Sequence, residues 1–245
     1  MKILIALQYW EGDKAQAEKL ATFLTDLQAK HSEHADFLLI NRYDCIPPTG
    51  LAQYVARKFN TFTYRAPRGM TGWPAGCNSL WANTLQWVKC MSEAKKCPRY
   101  KAIFTCEGDG GPVFPDWVER LSKAWDVANS KGPVCMAGPL VKIPAEHING
   151  NALMSGDPEM LKWLVRLALN VPATGGWDFV LAGEFKRKGW ANIPGMVSYY
   201  NSKAFSVEQY LKMQSDNLIW CHGDKSNALV DLGRIFLLGA KTPSL

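Results

Sequence analysis

Two carboxylates one residue apart, Glu107 and Asp109, follow the run YKAIFTC and are interleaved with glycines at 108, 110 and 111. Acids at i and i+2 just past a buried strand are presented at the carboxyl edge of a sheet, where open α/β folds bind ligands. The glycines let the backbone turn tightly and leave room beside the acids. Such a place suits a hard divalent cation, but two acids supply too few ligands, so the rest must come from a phosphate, water or a distant side chain.

The tail offers that side chain. In LIWCHGDKS, 218–226, His222 follows an apolar run and Lys225 lies three residues on, so an imidazole ligand and a phosphate-binding ammonium arrive together. A plainer alternative stands beside each feature: Glu107 and Asp109 as a turn that caps the next helix, and His222 as a core or surface histidine. His31 and His34 read as surface residues after a helix. Other chemistries fail on spacing. Gly223-Asp224-Lys225-Ser226 lacks the upstream glycine of a phosphate loop, and Gly108, Gly110 and Val113 break the dinucleotide pattern. There is no G-x-S-x-G, H-E-x-x-H or P-C-x-x-C.

The elements that must carry these residues are regular. KILIAL (2–7) reads as a buried strand, 14–30 as a helix with Leu20, Phe23, Leu24 and Leu27 on one face, and DFLLIN (36–41) as a second strand. This β-α-β start predicts parallel strands with a right-handed crossover. An amphipathic piece near 51–59 and a strand TFTY come next, and the loop RAPRGMTGWPAG leads into a helix over 77–94. YKAIFTC is then a strand, Asp116 is expected to cap a helix carrying Val118, Leu121 and Trp125 inward, and VCMAGPLV reads as another strand. Asp157-Pro158-Glu159 and Ser206 with Gln209 mark two further helix starts. No linker or repeat divides the chain.

At 245 residues with hydrophobic residues at 47%, a single α/β domain with a full core is expected. Seven cysteines without a C-x-x-C fit neither a disulfide framework nor a zinc ribbon, and point to reduced thiols in a cytoplasm. The apolar run after Met1 is too short for a signal-peptide core, and no later segment approaches a membrane span. The formal charge of +6 favours an anionic partner, although scattered clusters such as Lys186-Arg187-Lys188 also suit a solvated surface.

Taken in order, E-G-D at 107–109, H-G-D-K at 222–225 and the elements between them resemble the GT-A fold glycosyltransferases, which use nucleotide sugars. Position 107 is Glu where that family's usual motif is D-x-D. GWPAGCN (72–78) looks like the family's loop beside the nucleotide, HINGNAL (147–153) is similar to a donor or acceptor contact, and GGWDFVL (175–181) sits where inverting members carry a catalytic acid. The resemblance implies an α/β, GT-A-like fold: a mostly parallel twisted central sheet flanked by helices in one catalytic domain over 1–245. Residues 1–109 would form the nucleotide-binding half and 110–245 the acceptor-binding half.

It further implies a metal-dependent transferase using Mn2+ or Mg2+ held by Asp109, His222 and Glu107, with Lys225 on the diphosphate of a nucleotide-sugar donor. Gln8, Tyr9, Trp10, Asn41, Asp44, Arg68 and Asn78 would line the nucleotide pocket. Asp178 is the expected catalytic base and Glu184 the reserve. His147, Asn149, Asn151, Trp73 and Trp177 would meet sugar or acceptor, while Gly-Gly-Trp-Asp as a helix cap and Asn-Gly as a turn remain the alternatives for their segments. The mild basicity leads to double-stranded DNA bearing a hydroxymethylated pyrimidine as the first acceptor to expect, in a bacterial or phage-infected host cytoplasm. A surface glycan or small-molecule acceptor is the second. A metal-dependent nucleotidyltransferase and a non-catalytic nucleotide or sugar binder are the rivals from other classes.

Overall fold

A computed structural model describes residues 1–67, 69–143, 145–199 and 205–240. The chain begins β1 (Ile3–Tyr9), α1 (Lys14–Asp26), β2 (Ala35–Asn41), α2 (Leu51–Ala56), β3 (Asn60–Arg65), α3 (Ala75–Glu93) and β4 (Ala102–Glu107). Next come β5 (Gly110–Pro112), α4 (Trp117–Asn129), β6 (Met136–Gly138), β7 (Leu140–Val141), β8 (His147–Ile148), β9 (Leu153–Ser155) and α5 (Pro158–Ala168). The last part holds α6 (Trp177–Val180), α7 (Ala182–Lys188), β10 (Trp190–Asn192), β11 (Met196–Ser198), α8 (Val207–Ser215), β12 (Trp220–His222) and α9 (Ala228–Leu238).

The central sheet runs β10-β6-β9-β4-β1-β2-β3. β1, β2, β3 and β4 pair in parallel, and β9 alone among the seven runs against its neighbours. The mixed α/β class with a mostly parallel sheet is therefore as expected. Side chains alternate across the sheet with period two. Ile3, Ile5, Leu7 and Tyr9 of β1 enter one core layer with α1 and α4, whereas Leu4 and Ala6 enter the opposite layer with α3 and α5. Burial on both faces explains why these strands read as unbroken apolar runs.

Local expectations resolve in detail. Asp157 caps α5 by accepting from the amides of Glu159 and Met160, and Ser206 with Gln209 closes a capping box on α8. Asp116 makes no cap hydrogen bond; its carboxylate accepts from Arg120 Nε at 2.7 Å instead. VCMAGPLV is two strands, because Pro139 separates β6 from β7 and β7 pairs with β8 in a sheet of its own. Among the described residues, no helix is long and apolar enough to cross a membrane.

A second, three-stranded sheet positions the site. β4 passes directly through Gly108-Asp109 into β5, and β12 pairs antiparallel to β5 with His222 opposite Gly110. β11 lies parallel on the other side of β12, with Ser198 opposite His222. Trp220 anchors this sheet in the core, edge-on to Phe104 at 4.8 Å.

Candidate metal centre and cavity

The register of β5 and β12 brings the acidic turn and the late histidine together across the 112 residues that separate Asp109 from His222. The amides of Gly223 and Asp224 both donate to the carbonyl of Asp109, at 3.1 and 2.9 Å, and lock the two turns. Gly108 cannot carry a side chain here, since a Cβ would lie 2.7 Å from the Ala17 amide nitrogen of α1. Gly223 has φ +106°, a left-handed value suited to glycine.

Glu107, Asp109 and His222 each bring one ligand atom to within 4.8 Å of the others. His222 Nε2 lies 3.1 Å from Asp109 Oδ1 and 3.5 Å from Glu107 Oε2, while Lys225 Nζ pairs with Asp109 Oδ2. Asp109 is 3% exposed and His222 is 7% exposed. Oδ1 and Nε2 approach as an ion pair but are not aligned for a hydrogen bond, and each is buried without a hydrogen-bond partner. Buried polar atoms are nearly always satisfied. Two facing orphans of a carboxylate and an imidazole, with a third acid alongside, fit the oxygen and nitrogen donor set of a divalent cation.

The electrostatics agree with that geometry. Burial by itself pulls the imidazolium down, but Asp109 and Glu107 outweigh it and raise His222 to about 9. Burial by itself would raise Asp109, yet His222 and Lys225 hold its carboxyl well below the usual range. Asp13, at the start of α1, is pushed up to about 7, by burial first and then by Glu107 and Asp109, against a lowering hydrogen bond from the Trp10 amide.

Glu107, His222 and Lys225 face a cavity of about 990 Å3 that Asp178, His147 and Trp73, among others, also line. Asp178, on α6, accepts from the Gly150 amide at 2.9 Å and from the Phe179 amide at 3.0 Å. Burial raises its pKa, His147 and the Gly150 amide oppose that, and Glu107 adds to it. Asn149 and Asn151 also line the cavity, and Asn151 Oδ1 accepts from the Glu107 amide at 3.2 Å, tying β4 to the segment before β9. His147 is held by a contact of 2.8 Å between Nδ1 and the Ala145 carbonyl oxygen. Trp73 is 79% exposed at the mouth.

Several expected site residues make structural contacts. Trp177 stacks on Trp81 with centroids 4.1 Å apart and, although buried, also lines the cavity. Asn78 spends its amide on that loop, donating to the Gly175 carbonyl and accepting from the Trp177 amide. Tyr9 is a core residue, Gln8 donates to Thr84 Oγ1, and Asn41 donates to the carbonyls of Arg42 and Cys45. Glu184 pairs with Arg187 on α7 and does not line the cavity. At the strand exits, Trp10 is 45% exposed under the Arg42 guanidinium, which also holds Asp44. Arg68 lies outside the described residues.

Four residues without a sequence signal join the site. Ser198 Oγ is 3.2 Å from His222 Nδ1, Asp13 shares the field of the acids, Arg42 stacks on Trp10, and Cys77 lines the cavity. Asp224 had a usable signal as an acidic cap ahead of an apolar helix: it accepts from the Leu229 amide and from both Ser226 donors.

No protein-family model matches the chain, and no curated protein matches it in sequence. Solved structures do match. The apo form of the glycosyltransferase GlyE from Streptococcus pneumoniae TIGR4 is similar with a TM-score of 0.56 and 11% identity, over 93% of this chain and 55% of that one. The apo structure of the bifunctional glycosyltransferase WbbM gives 0.57 and 9%, over 90% and 45%. A glycosyltransferase involved in glycosylating the major capsid of PBCV-1 gives 0.50 and 12%, over 94% and 98%. The chain spans about half the length of the first two. Identities this low speak to architecture, and the architecture is one that glycosyltransferases use.

Proposed function

We propose that this protein is a metal-dependent glycosyltransferase of the GT-A type, moving a sugar from a nucleoside-diphosphate sugar to a hydroxyl acceptor. The observation that carries the reading is the meeting of Asp109 Oδ1 and His222 Nε2, both buried and without a hydrogen-bond partner, beside Lys225, with His222 and Lys225 lining a cavity that Asp178 also lines. The shared fold with GlyE and WbbM supports it. On this reading residues 1–109 form the nucleotide half and 110–245 the acceptor half of one domain.

Asp109, His222 and Glu107 would hold Mn2+ or Mg2+, the imidazole tilting preference toward manganese. When bound, such a cation offsets the charge that builds on the leaving diphosphate. Lys225 leaves Asp109 and places its ammonium against the same diphosphate, a charge-assisted contact that strengthens as the leaving oxygen gains charge. Asp178 accepts the acceptor hydroxyl's proton as the new C–O bond forms and the bond from the anomeric carbon to the phosphate oxygen breaks. Its anchoring by the Gly150 and Phe179 amides fixes the carboxylate toward the cavity. Trp10, with Arg42 stacked upon it, offers the ring surface for the base.

For the acceptor, the lining pairs few cations with many apolar groups. Leu140, Val141, Ile143, Trp73 and Phe179 form the wall, with Lys142 and Lys225 the lysines among the lining residues. That wall favours an acceptor with an apolar ring face, such as a saccharide, over a polyanion. The DNA acceptor rests on the net charge and on the Lys186-Arg187-Lys188 cluster at the end of α7. Activity that falls steeply with salt would restore it, because phosphate contacts release counterions. The seven free cysteines support a reducing cytoplasm.

A thermal-shift panel of nucleoside diphosphates with and without Mn2+ tests the reading. At least one should raise the melting temperature in the presence of the cation, and the Asp109→Ala variant should stay folded and lose that response. A panel in which no nucleoside diphosphate shifts the wild-type protein in the presence of Mn2+ defeats the proposal.

A further inference from the structure

The geometry points to Ser198 as the positioning residue that readies His222 to bind a cation through Nε2, an inference that rests on the metal-centre reading above. An imidazole has two nitrogens, and a metal takes one only while the other carries the proton. The nitrogen that faces Glu107 and Asp109 is Nε2. The proton must therefore sit on Nδ1, and Nδ1 must have an acceptor that holds it there.

Ser198 Oγ lies 3.2 Å from Nδ1. The pairing is imposed by backbone, not by chance contact between flexible side chains. β11 runs parallel to β12 with Ser198 directly opposite His222, and the Tyr199 amide donates to the His222 carbonyl at 2.8 Å. On the other side of β12, β5 fixes His222 opposite Gly110. The imidazole is thus held in a strand clamped from both edges, with the hydroxyl on one side of the ring and the two carboxylates on the other.

A serine oxygen can accept from Nδ1–H both before and after a cation arrives, so the ring needs no rotation and no change of partner at Nδ1. That is the feature a positioning residue requires. It also gives β11 a purpose: the strand contributes no ligand of its own, and its last residue contacts the ligand's far nitrogen. Outer-shell partners of this kind typically change metal affinity by about 10–100-fold when removed.

Mn2+ binding, followed by the electron paramagnetic resonance signal of the free ion, tests this without any turnover. Ser198→Ala should weaken Mn2+ binding by about 10–100-fold, and Ser198→Thr, which restores the hydroxyl on a residue at home in a strand, should return it to within about threefold of wild type. The melting temperature in chelator should be the same for all three proteins, which separates loss of the ligand's orientation from general damage to the fold. Equal Mn2+ affinity in Ser198→Ala and wild type overturns the inference while leaving the metal centre intact. Equal weakening in Ala and Thr variants overturns it in favour of a packing role. Wild type that binds no Mn2+ overturns both the metal centre and the inference.

Discussion

Proton competition at His222 makes a quantitative prediction. In the metal-free protein Asp109 at 3.1 Å and Glu107 at 3.5 Å outweigh burial and hold the imidazole up to about 9. At neutral pH Nε2 therefore carries a proton, and a cation can take that nitrogen only by displacing it. With an unfolded value near 6.5, the folded ring is the more basic one. Its contribution to metal-free stability is thus full below about 6.5 and is lost as pH rises through about 9. Cation affinity runs the opposite way. With one proton displaced per ion, the apparent Kd should tighten about tenfold per pH unit across the neutral range and level off above the folded value, a gain of about two orders of magnitude in all. Mn2+ titrations at about pH 6.5, 7.5 and 8.5 in non-chelating buffers measure the slope, and His222→Asn, which has no such proton, should flatten it. A wild-type Kd that is constant across that range refutes the reasoning, because the ion would then not be using Nε2.

Lys225→Ala should act in two directions: with no ammonium facing Asp109, Mn2+ binding without nucleotide tightens, while nucleoside-diphosphate affinity falls about tenfold or more for the lost charge-assisted contact; calorimetry reads both. Asp178→Asn keeps a carbonyl oxygen for the Gly150 amide, so donor binding should persist while kcat drops by about 10²–10⁴, and an unchanged kcat would remove Asp178 from the chemistry. Gly223→Ala forces a side chain into a left-handed position against the Tyr199 carbonyl, and should cost about 2–5 kcal/mol by denaturant unfolding; a change within about 0.5 kcal/mol would show that the turn adapts.

What the sequence made legible follows from which forces act locally. β1, β2 and β4 are apolar on both faces, so their runs announce themselves, and the acids at the end of β4 are exposed by the strand's own end. β5, β11 and β12 are three residues each, and Gly-Gly-Pro has no strand propensity. Only tertiary pairing makes them strands, so the meeting of His222 with Asp109 could be expected from residue type while Ser198 could not. The burial of Tyr9 was legible in principle, since period two puts it on the side of Ile3, Ile5 and Leu7, in the core. Asn78 and Trp177 gave no such warning: whether an amide meets a nucleotide or a neighbouring loop depends on how α3 and the 175–177 loop pack. Glu184 pairs with Arg187, three residues along the same helix face, a local contact that residue spacing does announce.

The site sits where two sheets share one stretch of backbone. β4 belongs to the central sheet, and its continuation through Gly108-Asp109 is an edge strand of the small one, so a carboxylate placed at that junction is held by both. Three strands of three residues are too short to be stable alone, and they persist because Trp220 packs under them and because Leu229 of α9 lies in a cluster with Cys221 and Val113. The small sheet thus has little reason to exist for stability, yet it is what carries His222 to Asp109 and sets two buried polar atoms face to face without a partner. A buried carboxylate and imidazole set face to face without a hydrogen bond between them is an arrangement that the proposed cation would complete, since buried polar groups are nearly always satisfied.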